Sequence, residues 1–435
     1  MTRIADYAAN NTLTSYILQT QKRLHDLQIQ VSTGKVSQDY QGLAREAQRL
    51  VNFENTRSVL DRYVTGNDLK DVRLKTTESV MDAIKKAVTD FRELLFEYES
   101  GDLSDEQRVR DIQDAAYRGM VNISAYLNSE VDGRYIFAGG RVTTEPVNLN
   151  LTSLSDFQAK YDGASVVYPP TRNAHVETKL SLDSTATGGL TLSNGPPATL
   201  TAGTAGSLAS IPVGATITLG GAPTAGNNTN YTVVSNNGTD IEISGNFTIG
   251  ASTIAVTNSF ASAEAAPAAT LSVDTYYDGD TATQTHRVDA SRDFGLDLNA
   301  IDPAFEKALR AMSIIAQGSY GTAGGLDSHP ERIDQALYLI NYSLDNTDPG
   351  SPPFGVEQTS SIRQIERDVG YQRVLIDETN QQQEALISFY EQRIADTENI
   401  VEVEAITRLL DDSQALEASY QAMSRIRQLS LSNYL

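Results

Sequence analysis

The chain contains no cysteine and no tryptophan among its 435 residues, and only four histidines. Without cysteine there can be no disulfide, thiol nucleophile or thiolate metal site. The histidines, His25, His175, His286 and His329, are far apart in sequence, and none has a second histidine at helical ligand spacing. They therefore read as exposed or packed side chains, not as metal ligands. Basic residues are scarce: 34 Lys and Arg stand against 56 Asp and Glu, a formal charge of −22. That charge repels a phosphate backbone, so nucleic acid is not expected as a partner. No apolar run is long enough to span a bilayer, and membrane insertion is not expected. The opening segment MTRIADYAANNTLTSYILQTQ lacks the apolar run and cleavage site of a secretory leader, so the expectation is a chain that is either cytoplasmic or exported by a route that needs no cleaved signal.

A Gly-Lys pair in LQIQVSTGKVSQDYQG, residues 27–42, invites comparison with a phosphate-binding loop. Such a loop needs a glycine five residues before the pair and a hydroxyl directly after the lysine. Here Ile29 and Val36 occupy those positions, and the preceding residues look helical where a phosphate loop follows a strand. The stretch reads as a helix end, with Gly34 interrupting the pattern.

What it interrupts is a seam. Leu13, Ile17, Thr20, Leu24, Leu27 and Val31 recur at spacings of four and three, the pattern of a helix that lies along another helix. A second periodic segment runs from about Leu43 to Tyr98 and would extend roughly 80 Å if continuous. Its expected apolar face is Val80, Ile84, Ala87, Phe91, Leu94 and Tyr98. Ser104 with Gln107 reads as a capping box opening the next helix, whose apolar face is Val109, Ile112, Ala116, Ile123 and Leu127. A short β segment, RYIFAGG, follows Asp132-Gly133.

From about residue 141 the texture changes. Residues 180–286 contain no Lys or Arg and are rich in Thr, Ser, Ala, Gly and Asn. Alternating β-branched runs at 215–219, 231–235, 241–244 and 252–257, with a turn at Asn237-Gly238, predict a small β domain. Helical texture returns at Pro303, a good first helical residue, and again at 330–344. A long segment from near Val356 carries Ile362, Ile365, Val369, Ile376, Leu386 and Tyr390 on one side, and the last one carries Ile406, Leu409, Leu416, Tyr420 and Met423.

No catalytic constellation emerges. Asp411-Asp412 reads as a solvated face, and Glu402 and Glu404 do not share a helical face. YYDGD at 276–280 lacks the spaced ligands of a calcium loop and reads as a turn. No catalytic residue, cofactor or metal is expected.

Several stretches together resemble the bacterial flagellin superfamily, and within it the hook–filament junction proteins. They are QVSTGKVSQ (30–38), GDLSDEQRVRDIQD (101–114), DGRYIFAGG (132–140), VDASRD (288–293) and the closing ALEASYQAMSRIRQLSLSNYL (415–435). The resemblance covers about residues 1–140 and 285–435 and leaves the middle untouched. Gly133, Arg134, Tyr135, Ile136, Phe137, Ala138 and Gly139 match the signature of the junction group.

The resemblance implies a mainly α fold with a β insertion. Residues 1–140 and 286–435 would form the two halves of a helical, coiled-coil rod, and 141–285 an outward β domain. It implies a structural subunit of the extracellular flagellum, exported unfolded through the flagellum's own type III channel. Expected partners are like subunits in a ring or helical layer, hook-associated protein 1 on the hook side, flagellin on the filament side and a flagellar export chaperone. The expected assembly interface joins Leu13, Ile17, Leu24, Leu27 and Val31 with Ile406, Leu409, Leu416, Tyr420 and Met423. A filament-forming flagellin stands as the alternative.

Overall fold

The computed structural model describes residues 2–43, 46–102, 104–164, 167–176, 180–195, 197–249, 262–273, 275–296, 298–347 and 350–432. Packing divides the chain into two units. One comprises Met1–Asp68, Val288–Ala290 and Asp377–Leu435, the other Leu69–Arg287 and Ser291–Ile376.

The first unit begins with α1 (Thr2–Thr33) and the single turn α2 (Tyr40–Leu43), and takes in the start of α3 (Ala47–Glu99). The periodic segment expected from about Leu43 to Tyr98 is continuous from Ala47 on: α3 runs for 53 residues, and Leu43 belongs to α2. Gly34 ends α1 with φ +72°, a left-handed conformation that spares it the Cβ penalty, and its N–H donates to the Gln30 carbonyl at 2.8 Å.

In the second unit, the far part of α3 packs with α4 (Glu106–Leu127). The cap of α4 differs from expectation. Asp105, not Ser104, accepts the Arg108 N–H at 3.0 Å, because Ser104 is turned onto the Asp102 carboxylate at 2.7 Å. Gln107 donates forward to Asp111 at 2.7 Å and closes no capping box. The expected apolar face of α4 is buried throughout. That of α3 is rotated: Met81, Ile84, Val88, Phe91, Leu95 and Tyr98 are buried, whereas Leu94 is exposed. The burying residues keep a strict three–four alternation, and Leu95 rather than Leu94 continues it.

A hairpin of β1 (Glu130–Val131) and β2 (Arg134–Tyr135) follows, then the short helices α5 (Leu154–Lys160) and α6 (Arg172–Val176). The β domain begins with β3 (Leu180–Leu182), a helical turn α7 (Ser184–Thr187), β4 (Leu190–Asn194), β5 (Ala198–Ala202) and β6 (Thr216–Gly220). It continues through β7 (Asn230–Asn236), β8 (Asp240–Ile243), β9 (Ser262–Ala266) and β10 (Thr270–Val273). These eight strands form one antiparallel sheet in the order β3-β10-β6-β7-β8-β5-β4-β9. Three of the four expected β runs are β6, β7 and β8; the fourth, 252–257, lies outside the described residues. The Asn237 side chain accepts the Asp240 N–H at 2.8 Å and shapes the β7–β8 turn, with Gly238 at φ +94°. Leu192, Leu200, Leu219, Val233, Ile241 and Leu271 form the core of the sheet, which is distinct from the helical core. Val147, Phe157, Tyr161, Tyr276 and Tyr277, on either side of the sheet in sequence, pack into the helical core instead.

After a second small hairpin, β11 (Gln284–Arg287) and β12 (Asp293–Leu296), comes α8 (Pro303–Ala316). Asp302 caps it by accepting the Ala304 N–H at 2.8 Å, and Pro303 occupies its first position as expected. Every residue of α8 from Ala304 to Ala316 is buried. α9 (Glu331–Asp345) packs beside it. α10 (Ile362–Glu398) starts six residues later than Val356, which is 97% exposed in the loop before it. Ile362, Ile365, Val369 and Ile376 are buried on α10, but Leu386 is exposed. α11 (Glu402–Ser432) ends the described chain.

Candidate assembly surface

In the first unit α1 and α11 lie side by side. Their antiparallel alignment is set where α1 ends. Val36 N–H donates to the Glu398 carbonyl at 2.7 Å, and Ile400 N–H donates to the Gly34 carbonyl at 3.0 Å. Between them, Lys35 forms a β-bridge with Asn399, and its Nζ meets Glu398 Oε2 at 3.0 Å. The stretch STGK is therefore a clip that ends one helix and ties it to the α10–α11 junction. Further along, Arg23 pairs with Asp412 at 3.1 Å and Gln21 Nε2 donates to Tyr420 Oη at 2.5 Å.

Among the expected interface residues, Ile17 is buried at 5% exposure, and Leu13, Leu24, Leu27 and Val31 are half-buried. On α11, Leu409, Leu416 and Met423 are half-buried, while Ile406 and Tyr420 are exposed at 39% and 45%. Ala405, missed in the sequence, is buried at 6%. The half-covered stripe of α11 is Ala405, Leu409, Asp412, Leu416, Ser419 and Met423. Its four–three spacing was readable, but an alanine, an aspartate and a serine at three of six positions hid it behind the larger Ile406 and Tyr420. Meanwhile Tyr16, Leu18, Val401, Val403 and Leu410 are all more than half exposed.

The GRYIFAGG segment lies in the second unit. Asp132 and Gly133 both have positive φ, 53° and 70°, and form the two-residue loop between Val131 and its partner Arg134. That is the backbone a tight hairpin with matching twist requires. Ile136, Phe137 and Ala138 then enter the core at 6%, 0% and 0% exposure, and Arg73 Nη2 donates to the Tyr135 carbonyl at 3.1 Å. Ala300 N–H donates to the Phe137 carbonyl at 2.9 Å, and Ala138 bridges Asn299. Gly139, at φ +64°, lies against Asp280: a Cβ there would stand 2.0 Å from the Asp280 carbonyl oxygen. Asp280 Oδ1 accepts the N–H groups of Gly140 at 2.5 Å and Ala282 at 3.0 Å, and those backbone donors hold its carboxyl below the usual range. YYDGD is thus a turn that clamps the two glycines.

Beneath this, α8 carries charge into the core. Glu306 and Arg310 are fully buried one turn apart, joined at 2.9 Å, and Arg310 Nη2 also meets Glu357 at 2.6 Å. His175 Nδ1 lies 3.0 Å from Glu306 Oε1. Burial alone would raise the Glu306 carboxyl, but Arg310 and His175 together bring it down to about 2. Burial pushes the His175 imidazole below its ordinary value despite the neighbouring carboxylate. Burial also lowers Lys307, to about 8; its ammonium donates to the carbonyls of Gln358 and Ser360 at 2.9 and 2.8 Å and sits 4.3 Å from the Tyr342 ring. These groups neutralise one another and fasten the loop before α10 to α8. Among the described residues no group of three His, Asp or Glu is placed to hold a metal ion, and no helix is long and apolar enough to cross a membrane.

Residues 4–141 match the family model of the bacterial flagellin N-terminal helical region. No curated protein matches the chain. Among solved structures, a protein described as a flagellar hook-associated protein of Vibrio parahaemolyticus is similar at 9% identity and a TM-score of 0.43, over 83% of this chain and 99% of that one. FlgL of Xanthomonas campestris is similar at 12% identity and a TM-score of 0.33, over 78% and 97%. The flagellar junction protein FlgL of Legionella pneumophila is similar at 14% identity and a TM-score of 0.29, over 76% and 97%.

Proposed function

We propose that the chain, whose residues 4–141 match the model of the bacterial flagellin N-terminal helical region, is a structural subunit of the flagellum, an adaptor layer joining hook to filament. The observation that carries the reading is the bareness of the α1–α11 pair. Of its described side chains only Ile17 and Ala405 are buried, while Tyr16, Leu18, Val401, Val403 and Leu410 face outward. Each such side chain gains about 1.5–3 kcal/mol when fully buried, so covering them by neighbouring subunits is a large driving force for assembly. Until then an under-buried helix pair barely offsets its ordering entropy.

On this reading the seams of α1 and α11 pack against like subunits, with hook-associated protein 1 on one side of the layer and flagellin on the other. Residues 1–140 and 286–435 form the assembling halves, and 141–285 contain the outward insertion. Monomers travel unfolded through the flagellar export channel, escorted beforehand by a chaperone and without loss of a signal peptide. The GRYIFAGG segment, which resembles the junction group, favours an adaptor over a filament former.

Seeded polymerisation followed by electron microscopy tests this. The purified chain should add a limited layer to isolated hook–adaptor ends and then accept flagellin. Long filaments growing from fragments of the chain itself would make it a flagellin instead.

A further inference from the structure

In a chain of net charge −22, one place in the second unit gathers positive charge without a counter-charge. Lys70 and Arg73 lie three residues apart on α3, on the same face. Both line a small cavity of about 20 Å³, together with Thr77, Ile136 and Gln284. Arg73 donates to the Tyr135 carbonyl at 3.1 Å, and the exposed Arg134, next to Tyr135 in the hairpin, is near enough to repel it. Among the described residues, Lys70, Arg73 and Arg134 form no ion pair with any carboxylate. His286 on β11 is near enough to feel Lys70, with Asp293 opposing from β12.

Such a cluster is costly. Burial, reinforced by Arg73, pushes the Lys70 ammonium down to about 8. Burial lowers Arg73 too, with Arg134 adding to it. Half-buried cations without a counter-ion destabilise a fold by desolvation and mutual repulsion, and an incoming anion relieves both. The space decides the kind of anion. A cavity of this size holds about one water-sized group, which suits the end of one side chain and excludes a nucleotide or a sugar phosphate. Carboxylates are what the rest of the molecule has in excess: 56 of them, with a stretch from 180 to 286 free of any Lys or Arg.

We propose that the Lys70–Arg73–Arg134 cluster is a docking site for a carboxylate of a second copy of this chain, an Asp or Glu side chain seated at the cavity mouth. The inference rests on the reading of the chain as an assembling subunit and names one polar contact between its copies. It gives the site a job that the apolar seams cannot do. Burial of apolar area is non-directional, whereas a charged contact fixes register between neighbours and disfavours like-charged approaches.

The test is a carbodiimide cross-link, which joins an amine directly to a carboxylate in contact with it. Equal amounts of light and heavy-isotope full chain are added to isolated hook–adaptor ends, treated with the reagent and digested. A light–heavy hybrid peptide containing Lys70 is expected. Lys70→Glu should lower incorporation by at least about tenfold, because like charges then face each other. Lys70→Met, which removes one charge of the cluster without reversing it, should incorporate better than Lys70→Glu, at a melting temperature no lower than that of the unaltered chain. Normal layers by electron microscopy, with Lys70 linked only within its own chain or not at all, would overturn the contact while leaving the proposed function intact. Shifts of the Lys70 signals on adding inorganic phosphate, with no hybrid peptide, would assign the site to a free anion and also overturn it. No layer under any condition removes the proposed function, and this inference with it.

Discussion

The ring of Phe137 meets the ring of Phe305 edge-on, with centroids 5.6 Å apart and planes at 88°. Both side chains are fully buried, so the hairpin segment is keyed into the most enclosed helix of the molecule. Phe137→Ala leaves a cavity between them and should destabilise the chain by about 3–5 kcal/mol. Chemical denaturation followed by circular dichroism reads that loss; a change below about 1 kcal/mol would mean the core closes over the gap.

Two glycines of the same segment should behave differently. At Gly133 an added Cβ meets nothing within 4 Å, so Gly133→Ala carries only left-handed strain, about 1–2 kcal/mol. At Gly139 the same atom collides with the Asp280 backbone, so Gly139→Ala adds displacement of the Tyr277–Asp280 turn to that strain. Melting temperatures of the two variants should separate clearly, with Gly139→Ala the lower.

Arg310 pairs with two carboxylates, Glu306 and Glu357. Arg310→Met leaves both buried beside an apolar side chain, and the expected cost is about 3–5 kcal/mol. Adding Glu306→Gln to that variant should recover part of the loss, which a two-by-two denaturation series measures.

Acid should weaken the fold in two stages. His175 and Glu306 both bind protons less readily folded than unfolded. Stability from each is therefore present above its unfolded value and is lost as pH falls toward its folded one. His175 acts first, below its ordinary value of 6.5, and Glu306 from 4.5 down to about 2. His175→Gln should flatten the decline in melting temperature between pH 7 and 5 and leave the steeper decline below it.

In the helix pair, Leu24→Asp places a charge in the half-buried seam of α1. It should block incorporation at hook ends, since an unpaired charge then enters the surface to be covered. Lys35→Ala removes only an ion pair half open to solvent, worth at most ~1 kcal/mol. That variant should incorporate at nearly the normal level. Wild-type incorporation of Leu24→Asp, read by electron microscopy, would falsify the placement of the seam.

What the sequence determined by itself was whatever periodicity and turn chemistry encode locally. The helical period of α1 and α3, the face of α4, Pro303 opening α8 and the strands β6 to β8 all follow from spacing and residue type. Tertiary structure decided which neighbouring residue faces inward. Leu95 displaced Leu94, and Ala405 displaced Ile406, because packing selects the position that keeps the seam's phase and not the larger side chain. It also decided the long-range pairings, Lys35 with Glu398, Arg310 with Glu357, and Gly139 with Asp280, which no local pattern carries. The cationic cluster around Lys70 belongs there too. Lys70 and Arg73 share one helix face by local spacing, but only the folded backbone, with the β1–β2 hairpin in place, brings Arg134 close enough to repel Arg73.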